Sequence, residues 1–299
     1  MGVVASPFNT TNNSLYTEWR DKKLENYLQV TKDLVIELDD PRCLTDSEYQ
    51  AMLSRIRKTN MVIYVGGSGS DPDPEIPISL GRKFGLQSLD RNWLGDDSGL
   101  TSLTVQEGGT RKFYIPYTNR PIKWHTDGYY NKTEHQIQGL MLHCVQSAAE
   151  GGENALMDHE VAYILLREKN PDYIFALMQP DVMTIPCRTE QGEVAREEET
   201  GPVFSITTDG ELHMRYTERQ RNIIWKDDPL VLEAVAYLQK LLASDSAYIF
   251  RGRLEPGMGL VSNNILHDRS AFRDDDDHKR LLYRARYYDR VAGTGFRYL

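Results

Sequence analysis

From about residue 100 onward the chain is written as a succession of short β-like runs: LTSLTVQEG, KFYIPY, IQGLMLHCVQ, VMTIPC, VFSIT, LHMRY, AYIFRGRLEPGMGLVSN and RLLYRARYYD. Only two helical patterns interrupt them, DHEVAYILLREK (158–169) and DPLVLEAVAYLQKLLAS (228–244). Many short strands separated by turn formers must pair with one another to bury their apolar faces, which favours a sandwich or jelly roll over a parallel α/β sheet. Before residue 100, LVIELDD (34–40) and MVIYVGG (61–67) read as strands. LTDSEYQAMLSRIRKT (44–59) reads as a helix with Thr45 as N-cap, and ISLGRKFGL (78–86) as a short helix. Residues 1–22 are polar and read as a loose arm; residues 23–299 read as one domain, since no linker divides them. The segment CRTEQGEVAREEETGP (187–202) has almost no large apolar group and reads as a mobile loop or lid.

A net charge of −9 with basic residues scattered among acids is a poor surface for a polyanion, so no nucleic-acid partner is expected. Cys43, Cys144 and Cys187 are odd in number and form no Cys-x-x-Cys pair, which suits a reducing compartment and excludes a cysteine zinc knuckle. No run approaches a membrane span, and a cytoplasmic protein is the expectation.

The stretch WHTDGYY (124–130) carries the first candidate chemistry. His125 and Asp127 are two positions apart, so on a strand or its frayed end they face the same side. Two donors on one side can hold a metal or simply bond each other. His267 follows the run PGMGLVSNNIL, and thirteen residues further on Arg280 opens RLLYRARYYD. Two neutral imidazoles and one carboxylate on one side of an ion leave positions open opposite the protein, an arrangement suited to non-haem Fe(II). An arginine offers a planar fork for a carboxylate. Among the other histidines, His135, His159 and His278 sit in polar runs and read as exposed; His143 and His213 read as core, or in the case of His213 as rim. Arg215 and Arg219, in MRYTERQR, read by default as a solvated cationic stretch.

WHTDGYY, GGENALMD (151–158), PGMGLVSNNILHDRSAF and KRLLYRARYYD, in this order, resemble the taurine/2-oxoglutarate dioxygenase family, the TauD/TfdA-like Fe(II) enzymes that include gamma-butyrobetaine hydroxylase. The resemblance runs from LVIELDD to the last strand. It implies a double-stranded β-helix (jelly roll, cupin-like), mainly β with flanking helices, and a reaction using Fe(II), 2-oxoglutarate and O2. His125, Asp127 and His267 fall on the family's metal ligands. Arg280 falls on the arginine that pairs with the far carboxylate of 2-oxoglutarate, and Asn154 stands where relatives often carry threonine or serine for the same carboxylate. Arg284 matches a second arginine that meets the prime substrate or the near end of the co-substrate. Tyr129 and Tyr130 are candidates for the substrate wall, and Asn119 for a polar substrate contact by family position. Asp268 departs from the family, which commonly has glycine there.

The expected activity is hydroxylation of a small polar or charged metabolite with release of succinate and CO2. Hydroxylation beside a heteroatom would fragment the product. Two other readings share the scaffold: a zinc hydrolase on the same three ligands, and a non-catalytic small-molecule-binding barrel. Arg284 favours an anionic substrate, whereas an acidic lid and aromatic wall favour a cationic amine. A homo-oligomer is common among relatives.

Overall fold

The computed structural model describes residues 5–90, 99–109, 111–190, 192–219 and 223–299. Its centre is mainly β, with helices flanking it. A six-stranded sheet runs in the order Val35–Leu38, Met61–Gly66, Met258–Ser262, Gly139–Gln146, Leu281–Tyr287, Thr101–Leu103. The first two strands are parallel and the rest antiparallel. The parallel pair requires a crossover, which the helix Asp46–Thr59 supplies. Thr45 caps that helix as expected, in a reciprocal capping box with Glu48. A four-stranded antiparallel sheet runs Phe250–Gly252, Asn154–Met157, Leu266–Arg269, Ile122–His125.

Three apolar layers hold these sheets. One lies on the outer face of the six-stranded sheet, where Val62, Tyr64, Met141, Val261 and Tyr287 meet Met52, Ile56 and Leu80 of two helices. The opposite face of the same sheet gives Met61, Ile63, Leu142, Cys144, Leu260 and Leu282 to a layer that includes Leu156 of the smaller sheet. The alternation Met141/Leu142 therefore separates two cores, and the strand Gly139–Gln146 is buried along nearly its whole length because both faces are covered. The third and largest layer packs the helices His159–Lys169, Pro171–Leu177 and Pro229–Leu242 against Trp124, Ala155, Met157 and Leu266.

Several expectations change. Residues 1–4 of the arm lie outside the described residues, but the rest is docked. Residues Asn13–Leu24 are helical, and Tyr16 and Trp19 are buried. Phe8 is fully buried, edge-on to Trp19 and to Tyr163. Lys23, on the same helix, is also fully buried, paired with Asp158 at 2.8 Å and Glu160 at 2.5 Å. KFYIPY is two 3-10 turns, not a strand; Pro116 removes a ladder donor in its middle. The 187–202 segment contains a hairpin, Arg188–Glu190 with Glu193–Arg196, followed by Glu199–Gly201 on the strand Met183–Ile185. His159 is buried rather than exposed, its Nε2 lying 3.3 Å from the Leu212 carbonyl. No helix among the described residues is long and apolar enough to cross a membrane.

Burial of His143, His159 and His213 lowers their pKa values to about 4, 4 and 3. They are neutral when folded, while in the unfolded chain each protonates near 6.5. Their contribution to stability is present above pH 6.5 and is lost as pH falls toward 4, because unfolding then takes up to about three protons. The melting temperature is expected to drop steeply between pH 6.5 and 4. A midpoint flat across that window in calorimetry would contradict the buried neutral state.

Candidate metal centre and substrate cavity

The antiparallel pairing of Leu266–Arg269 with Ile122–His125 puts His267 directly opposite His125. The ring centroids are 4.2 Å apart. Asp127 lies just past the end of its strand, where Thr126 is tied to Tyr216 through both backbone and side chain. Gly128 follows with φ +69, and a Cβ there would come within 2.4 Å of Ile137. Only glycine makes this turn without strain or clash. Asn264, itself left-handed at φ 49, clamps Asp127: its Oδ1 accepts from the Asp127 amide at 2.8 Å, and its Nδ2 donates to the Asp127 and Ile137 carbonyls. One ligand-type atom from each of His125, Asp127 and His267 lies within 4.8 Å of the others.

Nδ1 of His125 lies 2.9 Å from the Lys123 carbonyl, and Nδ1 of His267 lies 2.9 Å from that of Ile265. A carbonyl accepts only, so each Nδ1 carries the proton and each Nε2 keeps its lone pair. Burial, and secondarily the neighbouring His267, lowers His125 to about 3, so its ring is neutral at neutral pH. Burial alone would raise the Asp127 carboxyl, but the guanidinium groups of Arg284 and then Arg286 override it and keep it ionised. Arg284 Nη1 is 3.3 Å from Asp127 Oδ1, while Asp127 Oδ2 is buried with no hydrogen-bond partner among the described residues.

His125, Asp127, Arg284 and Arg286 open into a cavity of about 850 Å³, whose lining does not include His267. Tyr129 and Tyr130 both line it, as do Arg284, Arg286, Asp90 and Arg219. The 187–202 hairpin forms part of its wall, with Arg188 stacked on the Tyr114 ring at 4.1 Å and Arg196 facing Tyr130 at 5.5 Å. Arg215 does not reach the cavity. It is buried and donates to the carbonyls of Tyr129, Met183 and Glu199, fastening the motif to the hairpin's base.

Arg280 and Asn154 line a separate small recess together with Gly152 and Arg253. Arg280 is 5% exposed, lies over the Phe272 ring at 5.1 Å, and its guanidinium makes no hydrogen bond or ion pair among the described residues. Burial lowers its pKa to about 10, so it stays a cation. Arg280 and Arg284 thus open into different spaces. Asn154 Nδ2 donates to the Asp268 carbonyl at 2.6 Å, and the Asp268 carboxylate accepts from the Ala155 amide. The unusual aspartate therefore ties the strand of His267 to that of Asn154. Asn119 is exposed, is not among the residues lining the cavity, and uses its carbonyl to accept from the Phe272 amide in the 118–121 turn.

Arg286 and Asp90, which line the cavity, and Asn264, which clamps the Asp127 backbone, were not singled out from the sequence. Arg286 shares the period-2 face of Arg284, a signal that could have marked it. Asn264 had only the weaker signal of an asparagine where a left-handed turn was needed. Nothing local marks Asp90.

Residues 20–286 match the family described as "Taurine catabolism dioxygenase TauD, TfdA family". A mainly β scaffold with this family's pattern defines an Fe(II)- and 2-oxoglutarate-dependent dioxygenase acting on a small polar metabolite. The chain belongs to the TauD/TfdA family. It is 32% identical over 272 residues to a uridine-5'-phosphate dioxygenase of an Amycolatopsis species, covering 86% of this chain and 97% of that one. In fold it is similar to a taurine dioxygenase from Burkholderia xenovorans, with TM-score 0.54 and 18% identity over 85% of this chain and 87% of that one. It is also similar to an asparagine oxygenase solved with Fe(II), 3-hydroxyasparagine and succinate, with TM-score 0.55 and 14% identity over 90% and 91%. Family membership sets aside the zinc-hydrolase and non-catalytic readings.

Proposed function

We propose that His125, Asp127 and His267 hold the ferrous ion, that Arg280 and Asn154 hold the far carboxylate of 2-oxoglutarate, and that the cavity takes a phosphorylated nucleoside of the uridine 5'-phosphate type. The observation that carries the metal assignment is the pair of Nδ1–carbonyl contacts beside an Asp127 Oδ2 with no hydrogen-bond partner among the described residues. Two lone pairs and one carboxylate oxygen converge within 4.8 Å, with the opposite side open to the cavity. This neutral-nitrogen and oxygen donor set suits Fe(II). The two packed sheets, with these groups between strand ends, fit a double-stranded β-helix.

With Fe(II) and 2-oxoglutarate bound, the cofactors supply the oxidising chemistry, converting O2 and 2-oxoglutarate to succinate and CO2 as a C–H bond becomes C–OH. The protein orients the partners. Arg280 is a buried cation whose guanidinium makes no ion pair among the described residues, which supports its pairing with a dicarboxylate. Asn154 keeps one amide hydrogen beyond that given to Asp268. Tyr129 and Tyr130 wall the space, and the 187–202 hairpin covers it from one side.

An anionic substrate is favoured over a betaine by the lining. Lys132, Arg188, Arg196, Arg219, Arg284 and Arg286 face Asp90, Asp127, Glu197 and Glu199, which leaves two positive charges in excess, and Asp127 belongs to the metal. Because Arg284 touches a metal ligand, an anion bound to it lies beside the metal, and the reacting carbon is the one that bears the anionic group. For a phosphate ester, hydroxylation of that carbon gives HO–CH–O–PO3. Its C–O bond breaks, the hydroxyl proton moves to the phosphate oxygen, and an aldehyde and inorganic phosphate result. Incubation with uridine 5'-phosphate, Fe(II), 2-oxoglutarate and O2 is expected to release succinate and phosphate in equal amounts. Succinate at the substrate-free background, across uridine and other nucleoside 5'-phosphates, contradicts the substrate assignment.

A further inference from the structure

We infer that Arg286, locked in the cavity wall by Asp90 and Tyr130, is a specificity-determining residue that makes the anion subsite select a doubly charged phosphate monoester over singly charged groups of the same shape. The inference rests on the substrate class proposed above and goes beyond it to the residue that discriminates. Arg286 sits two positions beyond Arg284 on the strand Leu281–Tyr287, on the same face, and both line the cavity beside Asp127. It is 4% exposed. Asp90 forms an ion pair with Nη2, and Nη1 donates to the Tyr130 hydroxyl at 2.8 Å. Asp90 is itself fixed: its other oxygen accepts from Tyr288 Oη at 2.8 Å, and its amide donates to the Arg286 carbonyl.

This is more apparatus than packing needs. A guanidinium carries five N–H donors, and these two partners leave further donors for a ligand. A single arginine beside the metal suffices for a monoanion. A dianion placed next to an ionised Asp127 gains from a second cation that cannot swing away, because its ordering entropy has already been met by the fold. Tyr130 joins this floor to the hairpin, since its ring also faces Arg196. The Tyr130 hydroxyl contact then sets the guanidinium's angle toward the substrate rather than touching the reacting carbon, which makes Tyr130 a positioning residue.

A sulfate ester separates charge from shape, being tetrahedral with three terminal oxygens but one charge fewer. Binding of uridine 5'-phosphate and uridine 5'-sulfate is measured by calorimetry on the anaerobic Fe(II)/2-oxoglutarate protein. The wild type is expected to prefer phosphate by at least about 30-fold. Arg286→Gln is expected to bring this ratio to within about threefold, and Tyr130→Phe, which removes the hydroxyl that orients the guanidinium without changing the charge of the site, to an intermediate value. If Arg286→Gln does not fold, Tyr130→Phe carries the test through the same ratio. Equal binding of the two esters by the wild type, or an unchanged ratio in the folded variants, overturns the inference. Loss of the visible band from iron-bound 2-oxoglutarate in wild-type protein instead overturns the oxygenase assignments, and the calorimetric ratio still reports on Arg286.

Discussion

Asp127→Ala protein, purified anaerobically and supplied with Fe(II), is expected to form succinate at least about a thousandfold more slowly than wild type and to bind less than one iron per chain. Asp127 is the sole anion of the three-residue cluster. Without it, two neutral imidazoles are left to hold a dication beside the Arg284 guanidinium, which stands 3.3 Å from the lost oxygen. Arg284, a part-buried cation, then loses this partner. The charge at the site thus changes in the direction that repels metal. His267→Ala removes a neutral donor and is expected to lower activity comparably, with a smaller loss of iron. Iron content per chain, measured beside succinate formation, checks both. Near-normal iron and turnover in Asp127→Ala would falsify the ligand assignment.

Arg280→Met is expected to raise KM for 2-oxoglutarate by about 30-fold or more while leaving kcat at saturation within roughly tenfold. Removing one member of a desolvated charge pair costs about 2–5 kcal/mol. Here the loss falls on a carboxylate far from the reacting atoms, and so on ground and transition states alike. Methionine keeps the volume over Phe272, so the fold is not the variable. The KM for the prime substrate should stay within about threefold, because Arg280 and Arg284 open into separate spaces. A shift confined to the prime substrate would exchange the roles of the two arginines.

Elements whose signals are local were legible in the sequence. Thr45 with Glu48, Asp158 before His159, and Asp228 before Pro229 each mark a helix start by side-chain capping. The convergence of His125 and Asp127 with His267 was legible because they sit at strand ends, where alternation fixes direction. The Arg286–Asp90 pair was not, since it joins residues 196 apart in the chain that only sheet pairing brings together. The N-terminal arm misled because Phe8, Tyr16 and Trp19 are few among polar residues, and their burial depends on a groove built by the distant helix His159–Lys169. The turn of Arg188 and Arg196 toward the cavity was not legible, because nothing local in an acidic segment shows which side chains face inward. Asp268 looked like a defect in the motif, and its reason appears only when the Ala155 amide is seen beside it.

The most direct measurement is anaerobic titration of the full chain with Fe(II) in the presence of 2-oxoglutarate, followed by visible absorption. The account predicts a charge-transfer band that saturates at one iron per chain, disappears in His125→Ala and Asp127→Ala, and needs far more 2-oxoglutarate in Arg280→Met. No band in the wild type, or one that persists when Asp127 is alanine, would contradict the claim that these three side chains gather one ferrous ion.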